Sequence, residues 1–348
     1  MTRDFKTPIT EKNIPLGYDK PEDTIILATE TSCDETACAI VKNGREVLAN
    51  VVATQIKTHR QFGGVVPEVA AREHLEAINL VIDEAFSQSG LSPDDITAIA
   101  STQGPGLVGA LLVGFNAAKA LSVAYDKPFM AVNHLKGHVC ANYLDTELKP
   151  PFVALLVSGG HTQIIKVDSY ENQEIIGETI DDAVGEAYDK VARLMGLEYP
   201  GGPNLDKLAQ KGDPKRFKFT EARVGEYDFS FSGLKTAMLR LIQSLEKEGG
   251  ELPKEDISAS FQEVVSAVLL KKTLRVAEKY GIKTLALAGG VAANSEIRRK
   301  FFEMKEQGYE VYAPPMRYCT DNAAMIASAA YFLSNVSSDL DAEVFSRA

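Results

Sequence analysis

Apolar residues fall into short runs separated by polar turns, and two pairs of runs share one design. Ile25 to Ala28 is apolar and β-rich, the polar stretch Glu30-Thr31-Ser32-Cys33-Asp34-Glu35-Thr36 follows, and Ala37 to Val41 is apolar again. This pattern predicts a hairpin with a polar tip. Phe152 to Val157, then Ser158-Gly159-Gly160-His161-Thr162, then Gln163 to Val167 repeat it. Two such hairpins, about 125 residues apart, predict a duplicated fold.

Helical spacing fills the intervals. Val69, Leu75, Ile78 and Ile82 share one broad face of a helix expected from Pro67 to Phe86. The turn Gly104-Pro105-Gly106 precedes an apolar helix, Leu107 to Ala124. Asp256 stands where an N-cap belongs, ahead of Phe261, Val264, Val265, Val268 and Leu269 on a helix that stops near Gly281. Thr284 to Ala288 reads as a strand ending in Gly289-Gly290, and Asn294 opens another helix. Glu310 to Ala313 is a strand closed by Pro314-Pro315, and Asp321 opens the last helix, Asn322 to Leu333. Such a mixture makes an α/β protein with several crossovers, in which Asn204 to Glu251 reads as a mainly helical insertion.

Composition narrows the class. With 348 residues, 45% hydrophobic and 24% charged, the chain is neither disordered nor a disulfide scaffold. Two domains or lobes are expected at that length. No apolar run of membrane-helix length is expected. Met1 to Thr24 carries five acids and three prolines without an apolar centre, and reads as a mobile tail rather than a secretory signal. A cytoplasmic location is the expectation. Cys33, Cys38, Cys140 and Cys319 form no Cys-x-x-Cys pair, which disfavours a zinc ribbon and leaves reduced thiols. The net charge of −11 confines any phosphate grip to local patches. Lys211, Lys215, Arg216, Lys218 and Arg223 form one, and Arg298, Arg299 and Lys300 another. Solvated surfaces explain both equally well, so an RNA substrate implies that a partner shares the grip.

Three small polar turns invite phosphate chemistry. Ser158-Gly159-Gly160, Thr31-Ser32 and Gly289-Gly290 each offer backbone N–H groups or hydroxyls at a strand end. Any one of them is equally explained by glycine's tolerance of positive φ. No Gly-x-x-x-x-Gly-Lys-[Ser/Thr] loop occurs, which disfavours a P-loop NTPase. Of five histidines, His134 and His138 stand at i, i+4 spacing, so a helix would place both imidazoles on one face. Two imidazoles there can share a metal ion with a carboxylate from elsewhere, although two ordinary histidines near a helix start fit the same spacing. Asp321 is a candidate third ligand, with N-capping as the competing role. The zinc-protease motif His-Glu-x-x-His is absent, because Leu135 occupies the place of its glutamate.

These strings together resemble a known family. Glu30 to Thr36, Gly63-Gly64-Val65-Val66-Pro67-Glu68, Gln103 to Leu107, His134 to His138 and Val157 to His161 match its motifs in order. So do Asp182 to Lys190, Tyr199 to Pro203, Phe231 to Thr236, Gly289 to Asn294, and Asp321-Asn322. The family is that of the bacterial tRNA N6-adenosine threonylcarbamoyltransferases, formerly described as glycoproteases. The resemblance runs from about residue 25 to residue 335; only the tail before it departs from the usual pattern. It implies a duplicated actin/hexokinase/chaperone-ATPase-like (ribonuclease H-like) α/β fold with two lobes. Residues 25–133 with 321–348 would form lobe I, and residues 134–320 lobe II with a helical insertion at about 204–255, behind the tail at 1–24. The resemblance also implies a metal, iron(II) or zinc, on His134, His138 and Asp321. Val157, Ser158, Gly159, Gly160, His161, Asp189, Gly202 and Asn294 would contact threonylcarbamoyl-AMP. The implied partners are tRNA, a paralogous subunit of the same fold and a small P-loop ATPase, with no membrane involved.

The implied reaction moves the threonylcarbamoyl group to the exocyclic amine of the adenosine 3′ to the anticodon, in tRNAs reading codons that start with adenine. For the acceptor of the amine proton, His161, Asp34 and water stand as alternatives. Two rival readings remain. An ATP-dependent phosphotransferase of the same superfold would use the same glycine turns but needs only magnesium on carboxylates and phosphates. A non-catalytic paralogue would have no reason to keep both histidines and Asp321.

Overall fold

The computed structural model describes residues 23–333 and 338–347. Apart from Asp23 and Thr24, the expected tail lies outside the described residues. The first five strands are β1 (Ile25–Glu30), β2 (Glu35–Lys42), β3 (Glu46–Thr54), β4 (Ala98–Gly104) and β5 (Phe129–Asn133), in sheet order β3-β2-β1-β4-β5. The next five are β6 (Phe152–Val157), β7 (Thr162–Val167), β8 (Gln173–Glu178), β9 (Thr284–Ala288) and β10 (Glu310–Tyr312), in order β10-β9-β6-β7-β8. Numbered from its own first strand, each sheet reads 3-2-1-4-5. In both, the first three strands run antiparallel in sequence, while the fourth and fifth join the first in parallel. The duplication expected from the two hairpins is therefore a duplication of whole sheets.

The helices in chain order are α1 (Ile56–Arg60), α2 (Pro67–Ser89), α3 (Val108–Tyr125), α4 (His134–Cys140) and α5 (Val184–Leu194). They continue as α6 (Gly201–Ala209), α7 (Ser232–Glu248), α8 (Lys254–Tyr280), α9 (Ser295–Glu303) and α10 (Ala323–Leu333). Strands β1 and β2 are buried along almost their whole length because both sheet faces are covered. Leu27, Cys38, Ile40 and Ile99 point into a core shared with Ile78 of α2 and Phe115 of α3, while α10 packs on the sheet through β1 and β2. The buried face of α2 is Ala70, His74, Ile78, Val81, Ile82 and Ala85. Leu75, expected on that face, is exposed, and His74 takes the inward place. Helix α3 has the length and apolar composition of a membrane span, contrary to the sequence expectation, and it packs against α2 and β4.

Two compact units result. One comprises the described residues up to Leu148 together with those from Asp321 onward; the other is Lys149–Thr320. Residues 134–148, expected in the second lobe, thus belong with the first unit. The reason is local packing. Helix α4 lies on α10 so closely that a Cβ on Gly137 would come 2.8 Å from Ile326 Cδ1. Arg45 then holds the following loop, donating to the carbonyls of Tyr143 (3.2 Å), Thr146 (2.7 Å) and Leu148 (2.9 Å).

The second unit departs from expectation in two places. The insertion is helical only in α6 and α7; residues 210–231 between them are irregular, in a stretch that carries Gly212, Pro214 and Gly225. Helix α8 begins before Asp256, with Pro253 at the N-cap. Asp256 in its first turn accepts from the Asp213 N–H (2.7 Å) and pairs with Arg216, tying the irregular stretch to the positive end of the helix. The sheet itself closes tightly at the end of β9. Gly289 has φ +87°, and a Cβ there would stand 2.3 Å from the Val157 carbonyl oxygen. Gly289→Ala is therefore expected to destabilise the chain by about 1–3 kcal/mol, read as a lowered thermal midpoint, whereas Gly290→Ala, with nothing within 4 Å of its Cβ, should melt near the parent.

Candidate metal centre and nucleotide turn

Three residues from two helix starts converge in the first unit. Helix α4 opens at His134 because the Asn133 side chain accepts from the N–H groups of Leu135 and Lys136. Its single turn brings the imidazoles of His134 and His138 to 4.7 Å between centroids, at 80°. At the start of α10, Asn322 accepts from the Met325 N–H (3.0 Å) and so performs the capping that competed for Asp321. Asp321 turns instead to the imidazoles, with Oδ1 3.6 Å from His134 Nε2 and 3.2 Å from His138 Nε2. The three donor atoms lie within 4.8 Å of one another. Donors at about 2.1 Å from one ion in tetrahedral array stand about 3.4 Å apart, so this spacing and this His–His–Asp donor set fit a metal ion.

The charges around the cluster are strongly coupled. Burial disfavours a charged His134, but Asp321 and Glu30 outweigh it and raise its pKa to about 9. Burial likewise opposes ionisation of Asp321, yet His134 and His138 hold its carboxyl down at about 2. Glu30, fully buried at the end of β1, stays below the usual carboxylate range because His134 more than offsets its burial. The sequence pattern assigns Glu30 no role of its own; the available signal is an acid placed at the end of an apolar strand. Asp34 is buried in the same unit, and its neighbour Glu35 is pushed up to about 10 by burial, by Asp321 and by Asp34.

The expected substrate residues all fall in the second unit. Ser158 N–H donates to the His161 carbonyl (2.9 Å), and His161 N–H donates to Ser158 Oγ (3.1 Å), which makes Val157–His161 a closed turn. Gly159 and Gly160 are exposed, and a Cβ on either would meet nothing within 4 Å. Below the turn, Gly185 N–H donates to the Ser158 carbonyl (3.2 Å). Asp189 and Gly202 come together: Asp189 Oδ1 accepts from the N–H groups of Gly201 (2.9 Å) and Gly202 (3.1 Å) at the start of α6. Asn294 caps α9, its Oδ1 accepting from the N–H groups of Glu296 and Ile297. Its Nδ2 donates to Gln262 Oε1 (2.9 Å) and Asp206 Oδ1 (3.3 Å). Asp206 and Gln262 do not stand out in the sequence; their signal, polar residues on the inner faces of α6 and α8, is ambiguous without the fold.

The two basic clusters separate. Arg299 pairs with Glu296 and Glu303 and Lys300 with Glu263, so two of that cluster's charges are neutralised, while Arg298 is tied to backbone by donating to the carbonyls of Ala292 and Pro314. Lys211, Lys215, Lys218 and Arg223 lie on the irregular stretch between α6 and α7.

Fold and cluster define the class: an α/β protein of the duplicated actin/hexokinase/chaperone-ATPase-like type, with a cluster of two buried histidines and a half-buried aspartate in its first unit. A full-length HypF in its phosphate- and nucleotide-bound form shares the fold, with a TM-score of 0.61 at 16% identity over 94% of this chain and 47% of that one. Component A of the (R)-2-hydroxyglutaryl-CoA dehydratase of Acidaminococcus fermentans does so with a TM-score of 0.51 at 16% identity, over 89% of this chain and 97% of that one. Within this class, residues 46–328 match the family described as tRNA N6-adenosine threonylcarbamoyltransferase, and the chain belongs to that family. Relatives bearing that name include one from Caldicellulosiruptor bescii, 52% identical over 88% of this chain and 92% of the relative. Another, from Picosynechococcus sp. PCC 7002, is 55% identical over 93% and 94%. A third, from Bacillus subtilis 168, is 54% identical over 88% and 90%.

Below a pKa of about 9 His134 carries a proton that an incoming cation must displace. Zinc affinity, measured by chelator competition, should therefore rise with pH until about pH 9 and then level off. His138→Ala should lower that affinity by about 10–100-fold or more. An affinity flat in pH would contradict the protonated state assigned to His134.

Proposed function

We propose that this chain transfers the threonylcarbamoyl group of threonylcarbamoyl-AMP to the exocyclic amine of the adenosine 3′ to the anticodon, in tRNAs reading codons that start with adenine. The observation that carries the reading is the convergence of His134, His138 and Asp321 on a chain of this family. A phosphotransferase of the same fold has no use for paired imidazoles, since magnesium is held by carboxylates and phosphates.

The donor is a mixed anhydride, so its carbonyl carbon is already activated. The adenosine nitrogen attacks that carbon, the bond from carbon to the phosphate oxygen breaks, AMP leaves with the electron pair, and the amine gives up a proton. Orientation therefore matters more than a strong base. The exposed turn Ser158-Gly159-Gly160 suits a phosphate, because no side chain on either glycine obstructs approach to its backbone. Asp189 suits a ribose hydroxyl, and Gly202 gives close approach beside it: the nearest atom to a Cβ placed there is Tyr188 Cβ, at 3.9 Å. Val157, His161 and Asn294 complete the set, with Asn294 acting mainly by fixing the start of α9. For the acceptor of the amine proton, His161, Asp34 and water remain the alternatives. A bound divalent cation, iron(II) or alternatively zinc, supplies Lewis acidity for charge developing on oxygen, and His134, His138 and Asp321 would hold it.

The anticodon loop presents its adenosine unpaired, so no duplex needs opening. With a net charge of −11, this chain is proposed to grip tRNA locally through Lys211, Lys215, Lys218 and Arg223 and otherwise through partners. A paralogous subunit of the same fold and a small P-loop ATPase are the proposed partners, in the cytoplasm. Leu75 and Leu80 of α2 and Val108 and Leu112 of α3 are exposed apolar residues suited to docking.

The test is mass spectrometry of digested tRNA after incubation with threonylcarbamoyl-AMP and the partners. Formation of threonylcarbamoyladenosine with release of AMP is expected. AMP without modified nucleoside would make the chain a hydrolase, and phosphorylation of a small substrate by ATP would favour the kinase. Gly202→Val should keep the parent's melting behaviour while losing most adenylate affinity in calorimetry; unchanged affinity would remove the adenylate from this position.

A further inference from the structure

We propose that Glu30 is a positioning residue for the cation, fixing His134 in the tautomer whose Nε2 lone pair faces Asp321 and His138. The inference rests on the metal reading of the cluster and adds to it a residue outside the donor set. Glu30 ends β1 and is 0% exposed. Its Oε1 accepts from the Ser32 N–H (2.5 Å), and its Oε2 accepts from the Thr102 hydroxyl on β4. The same Oε2 lies 3.1 Å from His134 Nδ1.

Both Glu30 oxygens already accept, Oε1 from the Ser32 N–H and Oε2 from the Thr102 hydroxyl, so the carboxyl serves as an acceptor and the hydrogen in that last contact belongs to Nδ1. Neutral imidazole carries one ring hydrogen, and placing it on Nδ1 leaves Nε2 as the electron-pair donor. Nε2 is the atom that faces Asp321. Ser32 Oγ, 3.2 Å from Nδ1, offers a weaker neutral alternative on the same side. His138 has no equivalent: its buried Nδ1 lacks a hydrogen-bond partner among the described residues. Orientation of the pair therefore depends on Glu30 acting through His134. A carboxylate behind a ligating histidine fixes the ring and raises its basicity, and its loss usually costs about 10–100-fold in metal affinity. A purely structural tie between β1 and β4 is the competing role, and the Thr102 contact separates the two.

The experiment uses the full chain, zinc as the probe, chelator competition for affinity, and 15N NMR of the histidine rings for tautomer. In the zinc-loaded parent, His134 should carry its hydrogen on Nδ1. Glu30→Gln should weaken zinc by about 10–100-fold and shift the Nδ1–H signal, while Thr102→Val should lower the melting temperature and leave zinc affinity near the parent value. Hydrogen on Nε2 of His134 in the zinc-loaded parent overturns the proposal even if no variant folds. So does Glu30→Gln with parental affinity, or Thr102→Val weakening zinc as much as Glu30→Gln does. A parent chain that takes up no zinc overturns the metal reading itself and the proposal with it, an outcome distinct from a parent that loads and a Gln variant that loads equally well.

Discussion

Two imidazole nitrogens and a carboxylate oxygen, pressed together where little water reaches, repel one another unless positive charge sits among them. That constraint organises the first unit. Helix α4 must begin at His134, α10 must begin just beyond Asp321, and β1 must end in an acid that can stand behind the first imidazole. The protein meets the constraint with protons when nothing else is present, which is why His134 holds its proton to about pH 9 and Asp321 stays ionised down to about pH 2. A divalent cation would compete for the same place with twice the charge.

The second unit solves a different problem with the same sheet. Its first hairpin tip carries Ser158-Gly159-Gly160 where the first unit carries Thr31-Ser32-Cys33. One tip is an open backbone surface, made so by glycines that need no neighbour to give way. The other is filled with side chains, because Thr31 donates to the Ala110 carbonyl (2.9 Å) and Glu30 anchors Ser32. Duplication of the fold thus left two equivalent turns with opposite chemistry, one open enough to suit a ligand's phosphate and one packed tightly enough to brace the His–His–Asp cluster.

Much of this is legible in the sequence. Hairpins and strand ends follow from apolar runs broken by glycine and polar residues, and β9 falls on Thr284–Ala288 as expected. The i, i+4 histidines lie on one short helix because spacing is enough to specify a face. Other features need distances that no local pattern encodes. Leu75 reads as core from its spacing, but an inward His74 is tolerated because Thr36 and the Cys33 carbonyl satisfy its ring (2.7 and 3.0 Å). Asp321 and Asn322 are adjacent polar residues at a helix start, and only the structure shows that Asn322 caps while Asp321 faces the imidazoles. Asp206, Gln262 and Glu30 become visible only once strands and helices remote in sequence are brought side by side. Residues 134–148 change unit because Gly137 lets α4 nestle on a helix formed nearly 200 residues later.

That last packing has a consequence for how the chain is assembled. The first unit is interrupted: its sequence stops at Leu148, where Arg45 grips the departing backbone, and resumes at Asp321. Two of the cluster's donors lie just before the interruption and the third lies at its end, so a cation held there ties off a loop of roughly 180 residues containing the whole second unit. The second unit, continuous in sequence, can fold as one run during synthesis, whereas the first must wait for its final helix to emerge. A cation that binds only the completed seam would then stabilise it by mass action and act as a latch on an interrupted unit.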